Sequence, residues 1–144
     1  MEIRRAHPSD ASAIAEMESN IFGDPWSEKD ILSYISSSIG MCFTALENGV
    51  PIGYIIGQSI LTEAEIYRIA VREDKRRKEV GNMLLTYALD AVHEGGVDTV
   101  YLEVRSKNTA AIELYRSLGF NESGYRDGYY QNPNDDALVM IIRL

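Results

Sequence analysis

A basic loop opens a helix at Arg72-Glu-Asp-Lys-Arg-Arg-Lys-Glu-Val-Gly-Asn-Met-Leu-Leu85, and this stretch decides how the rest of the chain is arranged. The first turn of a helix leaves backbone N–H groups without partners and carries partial positive charge. An anion therefore finds hydrogen-bond donors and a favourable field there. The apolar residues that follow have the i, i+3, i+4, i+7 spacing of one buried helical face, and they are Val80, Met83, Leu84, Tyr87, Ala88, Ala91 and Val92.

The loop concentrates positive charge in an otherwise acidic protein. The chain of 144 residues has a formal net charge of −8 and 14 Lys and Arg residues. Polyphosphate is a natural ligand for such a loop, and a solvated charged turn is the alternative interpretation. The phosphate-binding patterns G-x-x-x-x-G-K-[ST] and G-x-G-x-x-G are both absent from the sequence. The basic residues of the loop are Arg72, Lys75, Arg76, Arg77 and Lys78.

Length and composition predict one globular domain over residues 1–144, with 45% hydrophobic residues. The single cysteine, Cys42, rules out a disulfide framework within the chain and suits a reducing compartment. No signal-peptide pattern and no run of about 20 apolar residues occurs, so we expect a cytoplasmic protein that binds no membrane. The negative charge disfavours direct binding to nucleic acid. His7 and His93 lack metal-ligand spacing, so we expect no metal, and we expect a monomer or a weak dimer.

The N-terminal third of the chain predicts a strand and two helices. Residues 2–6 resemble a short strand, and the apolar spacing after them predicts a first helix. Residues 27–30 have the pattern of a capping box, which begins a second helix. Trp26 lies in the turn between the two helices, where it is either a core anchor or one wall of a groove.

The middle of the chain predicts β-strands and one crossover. Runs at 41–46 and 51–60 are joined through Glu47-Asn48-Gly49, and Asn-Gly is a strong hairpin signal. A third run at 64–71 leads into the basic loop, and a further strand at 98–104 follows the helix. This strand–helix–strand order makes strands 4 and 5 parallel neighbours.

The end of the chain predicts one more helix and two strands. Asn108 can cap the helix, and Gly119 ends it. The last strands, at 121–126 and 137–143, flank a tyrosine-rich loop at 125–134. Together these elements predict an α/β domain with a mixed, mostly antiparallel sheet of about seven strands and about four helices on both of its faces.

Two motifs carry a resemblance to a known family. The basic loop is similar to the pyrophosphate loop R/Q-x-x-G-x-G/A of the GCN5-related N-acetyltransferases, with Glu79 in place of its first glycine. A more specific motif resembles the bacterial ribosomal-protein alanine N-acetyltransferases, a branch of that superfamily, and reads Tyr101-Leu-Glu-Val-Arg-Ser-Lys-Asn-Thr-Ala-Ala-Ile-Glu-Leu-Tyr-Arg-Ser-Leu-Gly-Phe-Asn-Glu122. Shorter matches at 25–27, 69–71 and 129–130 extend the resemblance over nearly the whole chain.

The resemblance implies an enzyme that transfers acetyl from its co-substrate acetyl-CoA to a protein N-terminal α-amine, in this branch the N-terminal alanine of a ribosomal protein. An α-amine with a pKa of about 8 is about 10% neutral at pH 7, whereas lysine is neutral in only about one molecule in 2,500. A lysine or small-amine acetyltransferase and a non-catalytic acyl-CoA-binding module remain alternatives. Direct transfer is favoured over an acyl-enzyme, because Cys42 is remote in sequence from both motifs.

The resemblance also assigns roles to individual residues. It makes Glu103 the base and Tyr115 the acid that protonates the departing thiolate. The structural alternatives are an ion pair with Arg105 or simple exposure for Glu103, and helix packing for Tyr115. The resemblance further implies that the sheet splays between parallel strands 4 and 5, with CoA contacts from Ile69, Ala70, Val71, Arg76, Arg77, Lys78, Glu79, Val80, Gly81, Asn82 and Asn108.

The acceptor is expected to enter between the turn that joins the first two helices and the loop at 125–134. Trp26, Tyr129 and Tyr130 either line that cleft around a short peptide or belong to the core. Glu79 is expected to weaken CoA binding, because glutamate disfavours positive φ and brings a like charge toward phosphate. A glycine there should tighten binding and slightly destabilise the free protein, since a carboxylate in a first helical turn is favourable.

Overall fold

A sheet of seven strands forms the centre of the computed structural model, which describes residues 1–76, 79–131 and 133–144. In chain order the strands are β1 (Glu2–Arg5), β2 (Gly40–Glu47), β3 (Val50–Ile60), β4 (Glu63–Val71), β5 (Thr99–Arg105), β6 (Asn121–Tyr130) and β7 (Asp135–Arg143). Their spatial order is β1-β2-β3-β4-β5-β7-β6. Every neighbouring pair is antiparallel except β4 and β5, which are parallel. The predicted mixed sheet is therefore confirmed.

Within the described residues, four α-helices cover the two faces of this sheet. They are α1 (Ala11–Ile21), α2 (Glu28–Ser36), α3 (Val80–Glu94) and α4 (Thr109–Ser117). One core lies under α3 and α4, and the other lies under α1 and α2. Each helix in the described part of the chain is too short or too polar to span a membrane.

Local sequence signals explain where several elements begin. The Ser27 hydroxyl accepts a hydrogen bond from the Asp30 N–H at 3.1 Å, so the predicted capping residue begins α2. Asn48 and Gly49 have φ values of 51° and 78°. A two-residue loop of this kind suits the right-handed twist of a hairpin, here the one that joins β2 to β3.

The parallel pair of strands positions the functional site. Within the described residues, β4 and β5 pair only from Glu63 with Thr99 to Ile66 with Leu102. Both strands continue past this point, β4 to Val71 and β5 to Arg105. The predicted splay between strands 4 and 5 is confirmed, and it opens a gap through the sheet.

The last hairpin corrects one prediction. β6 extends to Tyr130, so the predicted loop at 125–134 is wrong up to that residue. This strand lies at the edge of the sheet, and almost all of its residues are exposed. The strand predicted at 121–126 is the first part of β6. Because neither face of β6 is buried, no apolar alternation in its sequence indicated that the strand continues to Tyr130. Its pairing with β7 is irregular between Arg126 and Tyr130, where Gly128 has a φ of 61°.

Candidate functional site

The gap between β4 and β5 exposes one edge of the β4 backbone. The Arg72 N–H donates to the Ile52 carbonyl of β3 at 2.8 Å. Backbone groups of successive strand residues point to alternate sides, so the N–H groups of Ile69 and Val71 face the gap. Ala70 lies between them with its backbone turned toward β3. Two of the three residues predicted at 69–71 thus present donors to a ligand in the gap.

The N-terminus of α3 presents a second set of backbone donors. The first hydrogen bond within this helix runs from the Met83 N–H to the Glu79 carbonyl at 3.0 Å. The N–H groups of Val80, Gly81 and Asn82 therefore have no partner inside the helix. These three residues are among those predicted to contact CoA, and their donors suit the phosphates of such a ligand.

Gly81 brings this helix end against the gap. A Cβ atom at Gly81 would lie 3.5 Å from Leu114 of α4 and 3.8 Å from Val71 of β4. The first turn of α3 thus lies beside the end of β4 and beside α4. The main-chain donors at the helix N-terminus therefore lie near those at the end of β4.

Glu79 adopts a left-handed backbone conformation, with φ 59° and ψ 17°. Glycine adopts this conformation freely, whereas a residue with a Cβ is strained in it. Within the described residues, the Glu79 side chain makes no ion pair with Lys75 or Arg76 of the basic loop. Lys75 pairs with Glu47 at 2.5 Å, and the Arg76 Nε donates to the Val71 carbonyl at 3.1 Å.

Acidic neighbours partly neutralise the basic loop. The Arg72 guanidinium forms two hydrogen bonds with the Asp74 carboxylate, at 2.8 and 2.7 Å. Lys75 has an acidic partner as well, so the positive charge available to a ligand is smaller than the sequence suggests. Arg77 and Lys78, which were predicted to contact phosphate, lie outside the described residues.

A cavity of about 600 Å³ opens on the face of the sheet that carries α1 and α2. The α1–α2 turn, β4, β5 and the end of β6 form its walls. Four residues predicted from the sequence meet here, although the sequence separates them widely. They are Trp26, Glu103, Tyr129 and Tyr130.

Glu103 lies at the floor of the cavity, and its side chain is 12% exposed. Its carboxylate pairs with the Arg126 Nε at 3.0 Å, so the predicted alternative of a pair with Arg105 is wrong. Arg105 instead donates to the carbonyls of Gln131 and Pro133, at 3.0 and 2.6 Å. Arg105 thereby holds the turn between β6 and β7, while Glu103 faces the cavity.

Aromatic side chains line the cavity walls. Trp26 stacks on Tyr34 with 5.1 Å between ring centroids, so it belongs both to the core and to the cavity wall. Tyr129 and Tyr130 meet edge to face at 5.0 Å. Burial, followed by the charge of Glu103, raises the pKa of Tyr130 to about 12, and burial also raises the pKa of Tyr129. Both hydroxyls therefore remain neutral hydrogen-bond donors near neutral pH.

Sequence reasoning missed a buried cluster behind the cavity. The Glu18 carboxylate is fully buried and accepts hydrogen bonds from the Tyr54 hydroxyl at 2.5 Å, the Arg68 Nε at 3.2 Å and the Trp26 N–H at 3.3 Å. This network fixes α1 and the α1–α2 turn to β3 and β4. One signal was available, because Glu18 follows Ile14 by four positions and so lies on the apolar face of its helix.

Helix α4 carries two further residues predicted for the site. Tyr115 is buried in the core, where its ring lies 5.8 Å from that of Phe120. Burial raises the pKa of Tyr115, and the neighbouring Tyr130 contributes to this rise. The Asn108 side-chain oxygen accepts a hydrogen bond from the Ala111 N–H at 3.2 Å, which confirms that Asn108 caps α4.

Cys42 lies in the core under α1 and α2, with 3% of its surface exposed. Burial raises the pKa of its thiol to about 11. A thiol that stays protonated and buried is a poor nucleophile.

Comparison with known proteins agrees with this geometry. A family model described as the acetyltransferase (GNAT) family matches residues 11–120. The [ribosomal protein bS18]-alanine N-acetyltransferase of Escherichia coli K12 is 38% identical over 136 residues, which cover 93% of this chain and 91% of that protein. The N-alpha-acetyltransferase RimI of Mycobacterium tuberculosis is 36% identical over 138 residues, covering 92% of this chain and 85% of that protein.

Solved structures give the same result. The crystal structure of the ribosomal-protein-S18-alanine N-acetyltransferase from Escherichia coli has a TM-score of 0.92 at 36% identity, covering 99% of this chain and 92% of that chain. Ard1 from Thermoplasma volcanium has a TM-score of 0.91 at 27% identity, covering 99% of this chain and 97% of that chain. The chain therefore belongs to the GNAT family and is an N-acetyltransferase, an acyltransferase of a family that uses acetyl-CoA.

Proposed function

We propose that this enzyme transfers acetyl from acetyl-CoA to the N-terminal α-amine of a protein, and that its acceptor is the N-terminal alanine of ribosomal protein bS18. One observation carries the proposal. Where β4 and β5 diverge, main-chain donors line the gap between the strands. The cavity that contains Glu103 lies beside the same gap, on the face that carries α1 and α2. The name of the Escherichia coli relative supports the identity of the acceptor.

The residues around the gap suit acetyl-CoA. The N–H groups of Ile69 and Val71 would hold the pantetheine arm and polarise the thioester carbonyl, as an oxyanion hole does. The N–H groups at the start of α3, together with the basic loop, would hold the pyrophosphate. Asn108 has an exposed side chain beside its capping bond, and it would contact the same arm. When bound, acetyl-CoA supplies the activated acetyl group.

Glu103 would act as the base. It takes a proton from the acceptor ammonium, directly or through water, and leaves a neutral nitrogen that attacks the thioester carbonyl. Arg126 pairs with Glu103 in the free protein and lies 5.6 Å from the centroid of the Tyr129 ring, but its side chain is 60% exposed, so water can solvate the guanidinium when the pair opens. The incoming ammonium takes the place of this guanidinium as the partner of the carboxylate.

Tyr115 would act as the acid. Burial keeps its phenol protonated, so it holds a proton for the departing sulfur throughout the neutral range. Direct transfer to the acceptor agrees with the buried, protonated state of Cys42. A non-catalytic acyl-CoA-binding module does not agree with membership of an acyltransferase family.

A lysine side chain or a small amine is the alternative acceptor. The larger neutral fraction of an α-amine favours the N-terminus at neutral pH. The aromatic residues Trp26, Tyr129 and Tyr130 would contact the first residues of the peptide on either side of the reacting amine. The acidic balance of the protein suits a basic partner such as a ribosomal protein.

The test uses a synthetic peptide with the N-terminal sequence of bS18 and a free terminal alanine. After incubation with acetyl-CoA, fragment mass spectrometry locates any added acetyl group. We expect acetylation at the α-amine alone. The control is the same peptide with its N-terminus already blocked and a free lysine added, and acetylation of that lysine at a comparable rate would contradict the proposal.

A further inference from the structure

Arg68 lines the acceptor cavity from β4, on the face of the sheet that carries α1 and α2. The register of β3 with β4 shifts between Ile56 and Gly57, so Tyr67 and Arg68 both lie on the face that carries α1 and α2. Arg68 lines the cavity beside Tyr67 and Glu103. Its guanidinium therefore lies across the strand divergence from the proposed base.

Neighbouring residues hold this guanidinium firmly. Its Nε donates to the Glu18 carboxylate at 3.2 Å, and one terminal nitrogen, Nη2, donates to the Asp24 carbonyl at 2.9 Å. Its central carbon lies 4.1 Å from the centroid of the Phe22 ring and 4.9 Å from that of Trp26. These contacts fix the orientation of the planar group.

The other terminal nitrogen, Nη1, has no hydrogen-bond partner among the described residues. Every fully buried side-chain nitrogen or oxygen in the described part of the chain does have a partner. The Nη1 atom is therefore accessible, although only 14% of the Arg68 side chain is exposed. Because Arg68 lines the cavity, the two N–H donors of this atom are available to a bound acceptor.

The charge of Arg68 does not prevent an ammonium from binding nearby. The fully buried Glu18 carboxylate neutralises the guanidinium, and Glu103 attracts the ammonium. The cavity thus offers an acceptor of hydrogen bonds at Glu103 and a donor at Arg68. A peptide N-terminus has the complementary pair, an ammonium and a carbonyl separated by one carbon atom. A lysine side chain ends in an ammonium on a methylene chain and offers no such carbonyl.

We propose that Arg68 binds the carbonyl of the first acceptor residue and so makes the enzyme specific for peptide N-termini over lysine side chains and simple amines. This assignment rests on the proposed function, because it concerns the same acceptor. Arg68 touches the substrate beside the reacting nitrogen and takes no part in proton transfer. Arg68 discriminates between acceptors because its hydrogen-bond donors are left unpaired when the acceptor has no carbonyl.

The experiment compares an alanyl peptide with its fluoroalkene analogue, in which a carbon–carbon double bond replaces the first amide. The analogue keeps the shape of the peptide and lacks the carbonyl. Both acceptors are assayed with wild-type enzyme, with Arg68→Lys, which keeps the charge beside Glu18 but loses the forked donors, and with Arg4→Lys. Arg4 pairs with Asp10 at 2.8 Å away from the cavity, so Arg4→Lys is the matched control.

We expect wild type and Arg4→Lys to prefer the peptide over the analogue in kcat/KM by about tenfold or more. In Arg68→Lys the preference should largely disappear through slower reaction of the peptide, while acetyl-CoA affinity stays unchanged. Differences in amine basicity between the two acceptors cancel when the preferences of two enzymes are compared. An equal preference in wild type and Arg68→Lys overturns the assignment to Arg68.

Two further outcomes are also decisive. Should Arg68→Lys fail to fold, the wild-type comparison stands alone, with rates corrected to the neutral fraction of each amine. Equal corrected rates then overturn the assignment, and a strong preference for the peptide supports it. If wild-type enzyme acetylates neither the peptide nor the analogue, the proposed function itself fails, and this result differs from acetylation without any preference.

Discussion

The two sides of the opening between β4 and β5 are built from different kinds of chemical group. On the side proposed to bind acetyl-CoA, the acetyl-CoA side, main-chain N–H groups of β4 and of the first turn of α3 provide the donors. On the side proposed to bind the acceptor, the acceptor side, side chains from the α1–α2 turn, β4, β5 and β6 line the cavity. Main-chain donors persist when a side chain changes, whereas a side-chain contact is lost with its residue.

This difference predicts how each side responds to substitution. A site made of backbone groups should tolerate an unusual residue such as Glu79, provided that the chain keeps its path. A site made of side chains should lose activity or affinity at single positions. The largest effects are therefore expected on the acceptor side and at the reacting atoms, and the smallest in the phosphate loop.

Glu103→Gln should have the largest effect. The substitution removes the base and keeps the shape, so kcat should fall about 1,000-fold near pH 6. The loss should shrink as pH rises, because more of the amine is then neutral without help. Initial rates across pH measure this, with acetyl-CoA affinity from calorimetry as a check on folding. Glu63→Gln, at the exposed start of β4, serves as the control, and a wild-type rate in Glu103→Gln at every pH would make Glu103 a structural carboxylate.

Tyr115→Phe should lower kcat about 100-fold with little change in the Kd for acetyl-CoA. Burial raises the pKa of this phenol above its ordinary value. A phenol with a raised pKa is fully protonated below that ordinary value, so the ratio of wild-type to variant rates should be constant from about pH 6 to about pH 9. Rate measurements over this pH range test both the size of the loss and its independence of pH. An unchanged kcat would return Tyr115 to a packing role beside Phe120.

Trp26→Ala and Tyr130→Ala should each raise the acceptor KM by about tenfold and leave acetyl-CoA affinity unchanged, because neither side chain lies near the main-chain donors proposed to hold acetyl-CoA. Steady-state kinetics with varied peptide, together with calorimetry for CoA, separate the two sides. Trp26→Phe and Tyr130→Phe keep an aromatic ring and are the matched controls. Loss of folding in both alanine variants would show that these residues mainly support the core.

The sequence predicted the acetyl-CoA side of the site, because local signals determine the elements that form it. The helix at Val80, the crossover into β5 and the hairpin at Asn48 and Gly49 each depend on residues close together in the chain. Because these signals are local, their position in sequence was enough to place them. The parallel pair β4 and β5 followed from the order of elements, and the splay followed from the family resemblance.

The acceptor side depends on contacts between distant residues, so fewer sequence signals pointed to it. The partner of Glu103 is Arg126 of β6, an exposed edge strand that was predicted only at 121–126 and continues into the residues predicted as a loop. Arg68 meets Glu18 across 50 positions, and a register shift in the sheet brings Tyr67 to the same face beside it. No pattern within one element predicts such a pairing.

Glu79→Gly should have the smallest effect, and the structure changes the expectation for stability. At φ 59° glutamate bears a cost of about 1 kcal/mol that glycine avoids. Glycine also increases the freedom of the unfolded chain, which offsets about 0.5–1 kcal/mol. The free energy of unfolding should therefore stay close to wild type or rise slightly, instead of falling as the sequence alone suggested. Urea denaturation of the free protein measures the change.

Binding should respond to Glu79→Gly through charge. Removing a carboxylate near the pyrophosphate should tighten CoA binding about threefold at low salt, and the gain should shrink as salt screens the charges. Glu79→Ala is the control, because it removes the charge but keeps a Cβ at positive φ. If both variants tighten CoA binding equally, the carboxylate alone weakens binding in the native protein. If only Glu79→Gly tightens it, the backbone strain at positive φ is the cause. Equal binding by all three proteins would mean that the Glu79 carboxylate points away from the phosphates, and tighter binding by the native protein would contradict the prediction and show that the loop's register or the direction of the side chain was misread.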